Sequence, residues 1–404
     1  FIFHDGNMTT TEICNKKSTT KYISRRNVVP IIHVRGTHYD IGFDIGRTFA
    51  KMIQDFVDIY QPLNKIYLPL FATEEGKKVY NETLDAVKKQ FPQYLREIEG
   101  TADGANVPFY KLFLMHLDDI LPNVTEVQGN ALPVGCTSIM CNQLGHEILG
   151  HNEDAVSETL NHWYLVSAHV IETGYREEKF TSLSYAGFLP GYTMGYNHHG
   201  LVYSINTLSA AVLRSGKTPR YFLTRALLGV ENFVQAQQTL RNENYGAAEG
   251  FSVNMTFLAQ EGDRMFHNAE VGPVKADTNR SELNILTVSP DENTFHCNKY
   301  LRLKVEEVKG KIIQSSIRRM ETISKHPPVE CRQDVINVLS DQTGEDYRVY
   351  QDFGKDDEIK TIATGIFDCI KRTWSIYTDI PQINEPILVI PMQLRDFTTP
   401  QSKK

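Results

Sequence analysis

A glycine followed by a cysteine, Gly135-Cys136, stands directly before an apolar run, Thr137 to Cys141, and directly after a loop that carries Pro133. Glycine leaves its own carbonyl open to approach from either face. A thiol on the next residue can attack that carbonyl, move the acyl group from nitrogen to sulfur, and lose it to water. The chain that remains begins at Cys136 and has a free α-amine. Such an amine has a pKa of ~7.7–8, far below a lysine's, so a useful fraction is neutral near physiological pH. It can take the proton of its own thiol, which makes base and nucleophile a single residue. The dipeptide alone is weak ground, because a lone cysteine is more often a small buried hydrophobe.

Position strengthens the case. The strand that starts at Cys136 turns at Gln143-Leu144-Gly145-His146 and returns through Glu147 to Asp154. A two-residue turn at Leu144-Gly145 sets Cys136 opposite Glu153 and beside Asp154. A one-residue slip reverses which side chains share a face, so the hairpin offers Glu153 or Asp154 without choosing. Acyl chemistry also needs donors for an oxyanion, and a side-chain amide is a usual one. Asn206 and Asn254 stand at strand ends and are candidates, although asparagine there is commonly a turn former. His198-His199 invites a metal reading, but no third ligand is spaced to match and a polar hairpin turn explains both. HExxH, a phosphate-binding glycine loop and GxSxG are all missing.

The elements that must hold these residues fall into blocks. The first 30 residues are rich in Thr, Ser, Lys and Asn and read as a disordered tail. Residues 31 to about 120 read mostly as helix: Ile41 to Asp58, Asn81 to Glu99 with a break near Pro92, and a stretch after Pro108. From Pro133 to about 210 the chain is strand-like, with hairpins that include Tyr192–Tyr196 with Leu201–Asn206. Residues 219–241 return to helix. Two more hairpins follow, Asn254–Gln260 with Met265–Glu270 and Thr361–Asp368 with Thr373–Thr378, with a helix near 316–340 between them. Grouped hairpins and grouped helices indicate an α+β layering with antiparallel sheets, residues 31–404 forming one domain.

With 404 residues, 41% hydrophobic and 23% charged, the composition is that of a soluble globular protein. A net charge of −7 argues against a phosphate-binding surface, so nucleic acid is not an expected partner. There is no apolar run long enough to span a membrane, so no membrane partner is expected. Taking Met8 as the start, the leading residues lack the apolar core of a signal peptide, which points to a cytoplasmic location with reduced thiols. The sequons at Asn7, Asn81, Asn123, Asn254 and Asn279 then carry no meaning.

From about Ile31 to Pro391 the chain resembles the acyl-CoA:isopenicillin N acyltransferase-like branch of the N-terminal-nucleophile hydrolases and, within it, the insect β-alanyl amine hydrolases. The resemblance is carried by Arg35-Gly36-Thr37-His38-Tyr39, Gly42-Phe43-Asp44, Asp103-Gly104-Ala105, Gly135-Cys136 and Glu153-Asp154-Ala155. It continues through Glu158–His162, Leu189–Met194, His198–Leu201, Ser204-Ile205-Asn206-Thr207 and Arg214–Arg220. It implies a four-layer αββα sandwich and self-cleavage between Gly135 and Cys136 into an α chain 1–135 and a β chain 136–404. It also implies Cys136 as nucleophile, Asp154 beside the α-amine with Asn152 near it, Asn254 as the oxyanion asparagine and Asn206 as a second asparagine at the pocket. Ser316 and Arg319 match a later serine–arginine motif, Arg319 taken as substrate-binding. The implied reaction is hydrolysis of a β-alanyl amide to β-alanine and dopamine or histamine, with Glu249 or Glu158 available to a substrate ammonium. No metal and no cofactor are implied; the partners are the small-molecule amide, the α and β chains of one precursor, and a homodimer of that unit. An acyltransferase and an uncleaved binding relative are the competing readings. The chain departs from the branch at Pro133-Val134 before the junction, at Glu249-Gly250-Phe251, and at Cys297-Asn298-Lys299.

Overall fold

A computed structural model describes residues 25–125, 135–352 and 358–395; Pro133 and Val134 before the junction, and most of the tail, lie outside them. A strand that the sequence reading missed, β1 (Ile31–Gly36), comes first. The helical spacing after it is divided at Phe49 into α1 (His38–Thr48) and α2 (Ala50–Ile59). A short α3 (Leu68–Phe71) leads into α4 (Glu74–Gln90). Pro92 then opens α5 (Pro92–Ala105), in the first helical turn where its missing N–H costs nothing. Two short helices follow, α6 (Phe109–Met115) and α7 (Ile120–Val124). Helices α1 and α5 touch backbone to backbone: a Cβ at Gly42 would sit 2.0 Å from the Glu97 carbonyl oxygen, and one at Gly104 2.2 Å from that of Phe43. Two of the motifs quoted above are therefore a helix crossing.

The strands that follow are β2 (Gly135–Gln143), β3 (His146–Val156), β4 (Trp163–Val170), β5 (Glu178–Tyr185), β6 (Met194–Asn197) and β7 (Leu201–Leu208). After α8 (Arg220–Leu227) and α9 (Phe233–Arg241) come β8 (Gly250–Phe257), β9 (Phe266–Gly272), β10 (Glu282–Val288) and β11 (Glu292–His296). The helix expected near 316–340 is two, α10 (Lys311–Ile323) and α11 (Arg332–Leu339), because Pro327-Pro328 cannot continue it. The chain closes with β12 (Ile359–Asp368), β13 (Thr373–Tyr377) and β14 (Leu388–Pro391).

These strands form two sheets, one ordered β1-β4-β5-β6-β7-β8-β9-β10 and the other β11-β2-β3-β12-β13-β14. Pairing is antiparallel except at one edge, where β1 runs parallel to β4, a correction to the all-antiparallel expectation. Three apolar clusters show the layering. Helices α1 to α9 pack on the outer face of the eight-stranded sheet through Ile41, Phe113, Tyr203 and Phe251 among others. The sheets face each other through Met140, Leu149, Trp163 and Trp374. Helices α10 and α11 cover the six-stranded sheet through Ile323, Val335, Ile139 and Ile148. The fold is α+β, a four-layer αββα sandwich. No helix of the described residues is long and apolar enough to cross a membrane.

Candidate active site

The β2–β3 hairpin has the register expected of its turn, Gly135 opposite Asp154 and Cys136 opposite Glu153. Alternation along each strand then divides the candidates between two faces. Ser138, Met140, Leu149 and His151 turn toward the eight-stranded sheet, and Cys136 and Glu153 share that face. Thr137, Ile139, Asn152 and Asp154 turn toward α10 and α11. Glu153 and Asp154 are both delivered to the cysteine, one on each side of the sheet.

The main chain of Cys136 is held by two side chains. Its N–H donates to Asn298 Oδ1 at 2.8 Å, and Arg319 Nη1 donates to its carbonyl oxygen at 2.7 Å and to Thr137 Oγ1 at 2.9 Å. Arg319, fully buried on α10, also donates to Asn298 Oδ1 at 2.6 Å. Asn298 is fixed in turn by its own N–H to Ser316 Oγ at 3.0 Å and by Nδ2 to the Thr207 carbonyl at 3.0 Å. This arrangement explains the glycine: a Cβ at Gly135 would lie 2.6 Å from both Arg319 Nη2 and Asn298 Oδ1. Cys136 is 5% exposed. Burial first, then Glu153 and Asp154, push its thiol well above the ordinary range, while Arg319 and a backbone hydrogen bond with Asp154 oppose them.

The other expected residues have partners of their own. Asp154 does not touch the Cys136 nitrogen; Oδ1 accepts from Thr361 Oγ1 at 2.5 Å, and Oδ2 lies 3.9 Å from Arg319 Nη1. Burial pushes its carboxyl up to about 7, although Arg319 pulls it down. Asn152 is spent on architecture. Its Nδ2 donates to the carbonyls of Leu339 at 2.8 Å and Val349 at 3.0 Å, and its Oδ1 accepts from Thr364 Oγ1 at 2.7 Å. Asn254 is held likewise, its Nδ2 donating to Asn206 Oδ1 at 2.7 Å and lying 3.2 Å from Ser204 Oγ. The side-chain amide at the cysteine is Asn298. Its position in the sequence was visible as Cys297-Asn298-Lys299, but nothing local tied it to residue 136.

On the sheet–sheet face a buried polar chain leads away from the cysteine. Cys136 Sγ lies 3.8 Å from Glu153 Oε2, which lies 2.9 Å from His151 Nε2; His151 Nδ1 is 2.8 Å from Ser138 Oγ. The far end fixes the direction of this chain. Arg302, which can only donate, donates to Asn268 Oδ1. Asn268 Nδ2 therefore donates to Asn254 Oδ1 at 2.7 Å, and Asn254 Nδ2 to Asn206 Oδ1. Ser138 Oγ lies 3.0 Å from both Asn206 Oδ1 and Ser204 Oγ and 2.8 Å from His151 Nδ1. His151 thus bridges Ser138 through Nδ1 and Glu153 through Nε2. Tyr185 donates its hydroxyl to the other oxygen, Glu153 Oε1.

A second acidic group lies nearby. Asp118 Oδ2 and Asp119 Oδ2 clasp Arg220 at 2.6 and 2.8 Å, and Glu249 Oε2 accepts from the Arg220 N–H at 3.0 Å. Burial pushes the Glu249 carboxyl well up against the pull of Arg220. Tyr192 connects this group to the cysteine: its ring lies 5.3 Å from the Arg220 guanidinium, and its hydroxyl is 2.6 Å from Thr207 Oγ1, on the residue whose carbonyl holds Asn298. Glu158 Oε2 accepts from Ser157 Oγ at 3.5 Å, and Glu158 joins Asp118 and Asp119 in raising the Tyr60 hydroxyl pKa, which burial raises most. His198 is engaged by the Lys179 carbonyl at 3.1 Å in the β6–β7 turn, as a turn residue. The cavity of about 410 Å³ between α5, α8 and α9 does not reach Cys136.

Residues 141–382 match the acyl-coenzyme A:6-aminopenicillanic acid acyl-transferase family, and the chain belongs to that family, the N-terminal-nucleophile branch that the motifs indicated. The chain is 48% identical over 384 residues to the beta-alanyl-dopamine/carcinine hydrolase of Drosophila melanogaster, covering 93% of this chain and 99% of that protein. Among solved structures, it aligns with a mutant of the conjugated bile acid hydrolase from Clostridium perfringens at 12% identity and TM-score 0.36, covering 64% of this chain and 92% of that one. Penicillin V acylase from Agrobacterium tumefaciens aligns at 12% identity and TM-score 0.37, covering 60% and 82%.

Proposed function

We propose that this protein is an amidohydrolase of β-alanyl amides, activated by cutting itself between Gly135 and Cys136. The observation that carries the reading is the setting of Cys136. Its nitrogen rests on an acceptor, Asn298 Oδ1, and its carbonyl on Arg319, while its sulfur faces the opposite side of the strand. Once freed, an α-amine held through its hydrogens by Asn298 keeps its lone pair for the thiol. The thiolate attacks the substrate carbonyl, the amine leaves, and water releases the acyl group. The Drosophila relative supports β-alanyl-dopamine and carcinine, the β-alanyl conjugate of histamine, as substrates. Asp154 acts through Arg319, Asn298 holds the main-chain nitrogen, and the oxyanion role stays with Asn254.

Mass spectrometry of the purified protein's N-termini tests the cut, with a chain starting at Cys136 as the expected result. Release of β-alanine from β-alanyl-dopamine tests the activity. Active protein in which residues 135 and 136 are still joined overturns the mechanism. Adding an amine acceptor separates hydrolysis from acyl transfer, since a transferase forms a new amide and a hydrolase does not.

A further inference from the structure

The α-amine explains turnover but not the cut that creates it. While Gly135 and Cys136 are joined, the Cys136 nitrogen is a peptide N–H that donates to Asn298 and has no basic lone pair. Burial makes the thiol a poor acid in this state. Some other group must take its proton.

We propose that Glu153, held in place by His151, is the base that starts self-cleavage in the uncut chain; this rests on the self-cleavage reading above. Three observations converge on it. Oε2 is 3.8 Å from Sγ, inside hydrogen-bonding reach for sulfur, and the reactive atoms of Cys136, His151 and Glu153 all lie within 4.8 Å of one another. Tyr185 donates to Oε1, so the carboxylate presents Oε2 to the sulfur. His151 Nε2, 2.9 Å from Oε2, holds that oxygen beside the sulfur. The competing carboxylate, Asp154, has its side chain on the other face, bound by Thr361.

The step balances without a further reactant except water. The thiol proton passes to Glu153 Oε2, and sulfur bonds to the Gly135 carbonyl carbon. The C–N bond breaks as the Cys136 nitrogen takes that proton from Glu153, giving a thioester and a free α-amine. Water then adds to the thioester carbon and the C–S bond breaks. Gly135 leaves as a carboxylate, and the two water protons go to the sulfur and the α-amine.

The test separates cutting from turnover. Full-length wild type and Glu153→Gln are followed by denaturing gel, and each is also made from separate 1–135 and 136–404 chains, the initiator methionine before Cys136 being removed. The full-length variant should cut slower by roughly a hundredfold or more, the worth of a positioned base. The two-chain variant should lose turnover of β-alanyl-dopamine by a much smaller factor, roughly tenfold or less, which also shows that it folds. Hydroxylamine, which opens thioesters, should not restore cutting, because the blocked step precedes the thioester. Glu153→Gln cutting at the wild-type rate, rescue by hydroxylamine, or equal losses in cutting and turnover each overturn the assignment. A wild-type chain that stays whole while active defeats the underlying reading instead.

Discussion

Glu153 and Asp154 are neighbours in sequence, and the β-strand sends them into opposite settings. On the sheet–sheet face, Glu153 belongs to a relay of thiol, imidazole, hydroxyl and amide groups. On the helix face, Asp154 belongs to a clamp in which Arg319 binds the Cys136 carbonyl, Thr137 and Asn298. The difference teaches a division of labour. On the proposed reading, the relay side handles the proton of the sulfur, and the clamp side fixes the main chain that is cut and then held. Cys136 joins the two because its sulfur points one way and its peptide groups are gripped from the other.

The largest effect belongs to the residue the faces share. Cys136→Ala should leave one uncut chain on a denaturing gel and no β-alanine release, with the fold intact by circular dichroism, since a small buried side chain is removed. Turnover by that variant would remove the nucleophile from the mechanism. Next comes the clamp. Arg319→Met strands Asp154 and the Asn298 oxygen, and breaking a buried charge pair in this way costs about 3–5 kcal/mol. Urea denaturation should show that loss, and cutting should fail along with it. Unchanged stability would mean that Asp154 does not rely on the guanidinium.

How far this was legible in sequence follows the same division. The hairpin register came directly from the Leu144-Gly145 turn, and the observed pairing of Cys136 with Glu153 agrees with it. Local pattern also carried the α+β layering, because periodicity and turns are properties of short segments. Strands β1, β10, β11 and β14 were missed. Burial is shallow and irregular along β10, β11 and β14, so they lack a strong two-residue alternation. Asn298 and Arg319 approach Cys136 from 162 and 183 residues away, and such contacts leave no local trace. The family resemblance supplied Arg319 and Asn254 but gave no role to Asn298, which only the packing of distant segments brings to the cysteine.

Asp154 gives the comparison a pH signature. Its carboxyl is raised from the ordinary value of 3.8 to about 7, chiefly by burial. Folded protein therefore holds a proton that the unfolded chain has already lost at intermediate pH. The corresponding stability is fully present below about 4 and is lost as pH rises toward 7, at about 1.4 kcal/mol per pH unit where the two states differ by a whole proton. Asp154→Asn cannot titrate, so its unfolding free energy should lack that decline, whatever constant offset the lost carboxylate introduces. Identical slopes for variant and wild type between pH 4 and 7 would show that Asp154 titrates normally in the folded state.

The finest test uses two adjacent hydroxyls. Ser138→Ala takes a hydroxyl partner from His151 Nδ1 and from Asn206 Oδ1, leaving buried polar atoms short of partners, which costs about 1–3 kcal/mol. Thr137→Val removes a hydroxyl from the clamp, but Arg319 Nη1 keeps the Cys136 carbonyl, so the cost should stay near ~1 kcal/mol. Cutting should separate them further. Without Ser138 the imidazole loses its Nδ1 contact, and Glu153 loses a partner of defined orientation, so Ser138→Ala should slow self-cleavage more than Thr137→Val. Gel time courses on the two variants decide it: a Thr137→Val chain that cuts more slowly than Ser138→Ala would place the proton's route on the helix face and reverse the division drawn here.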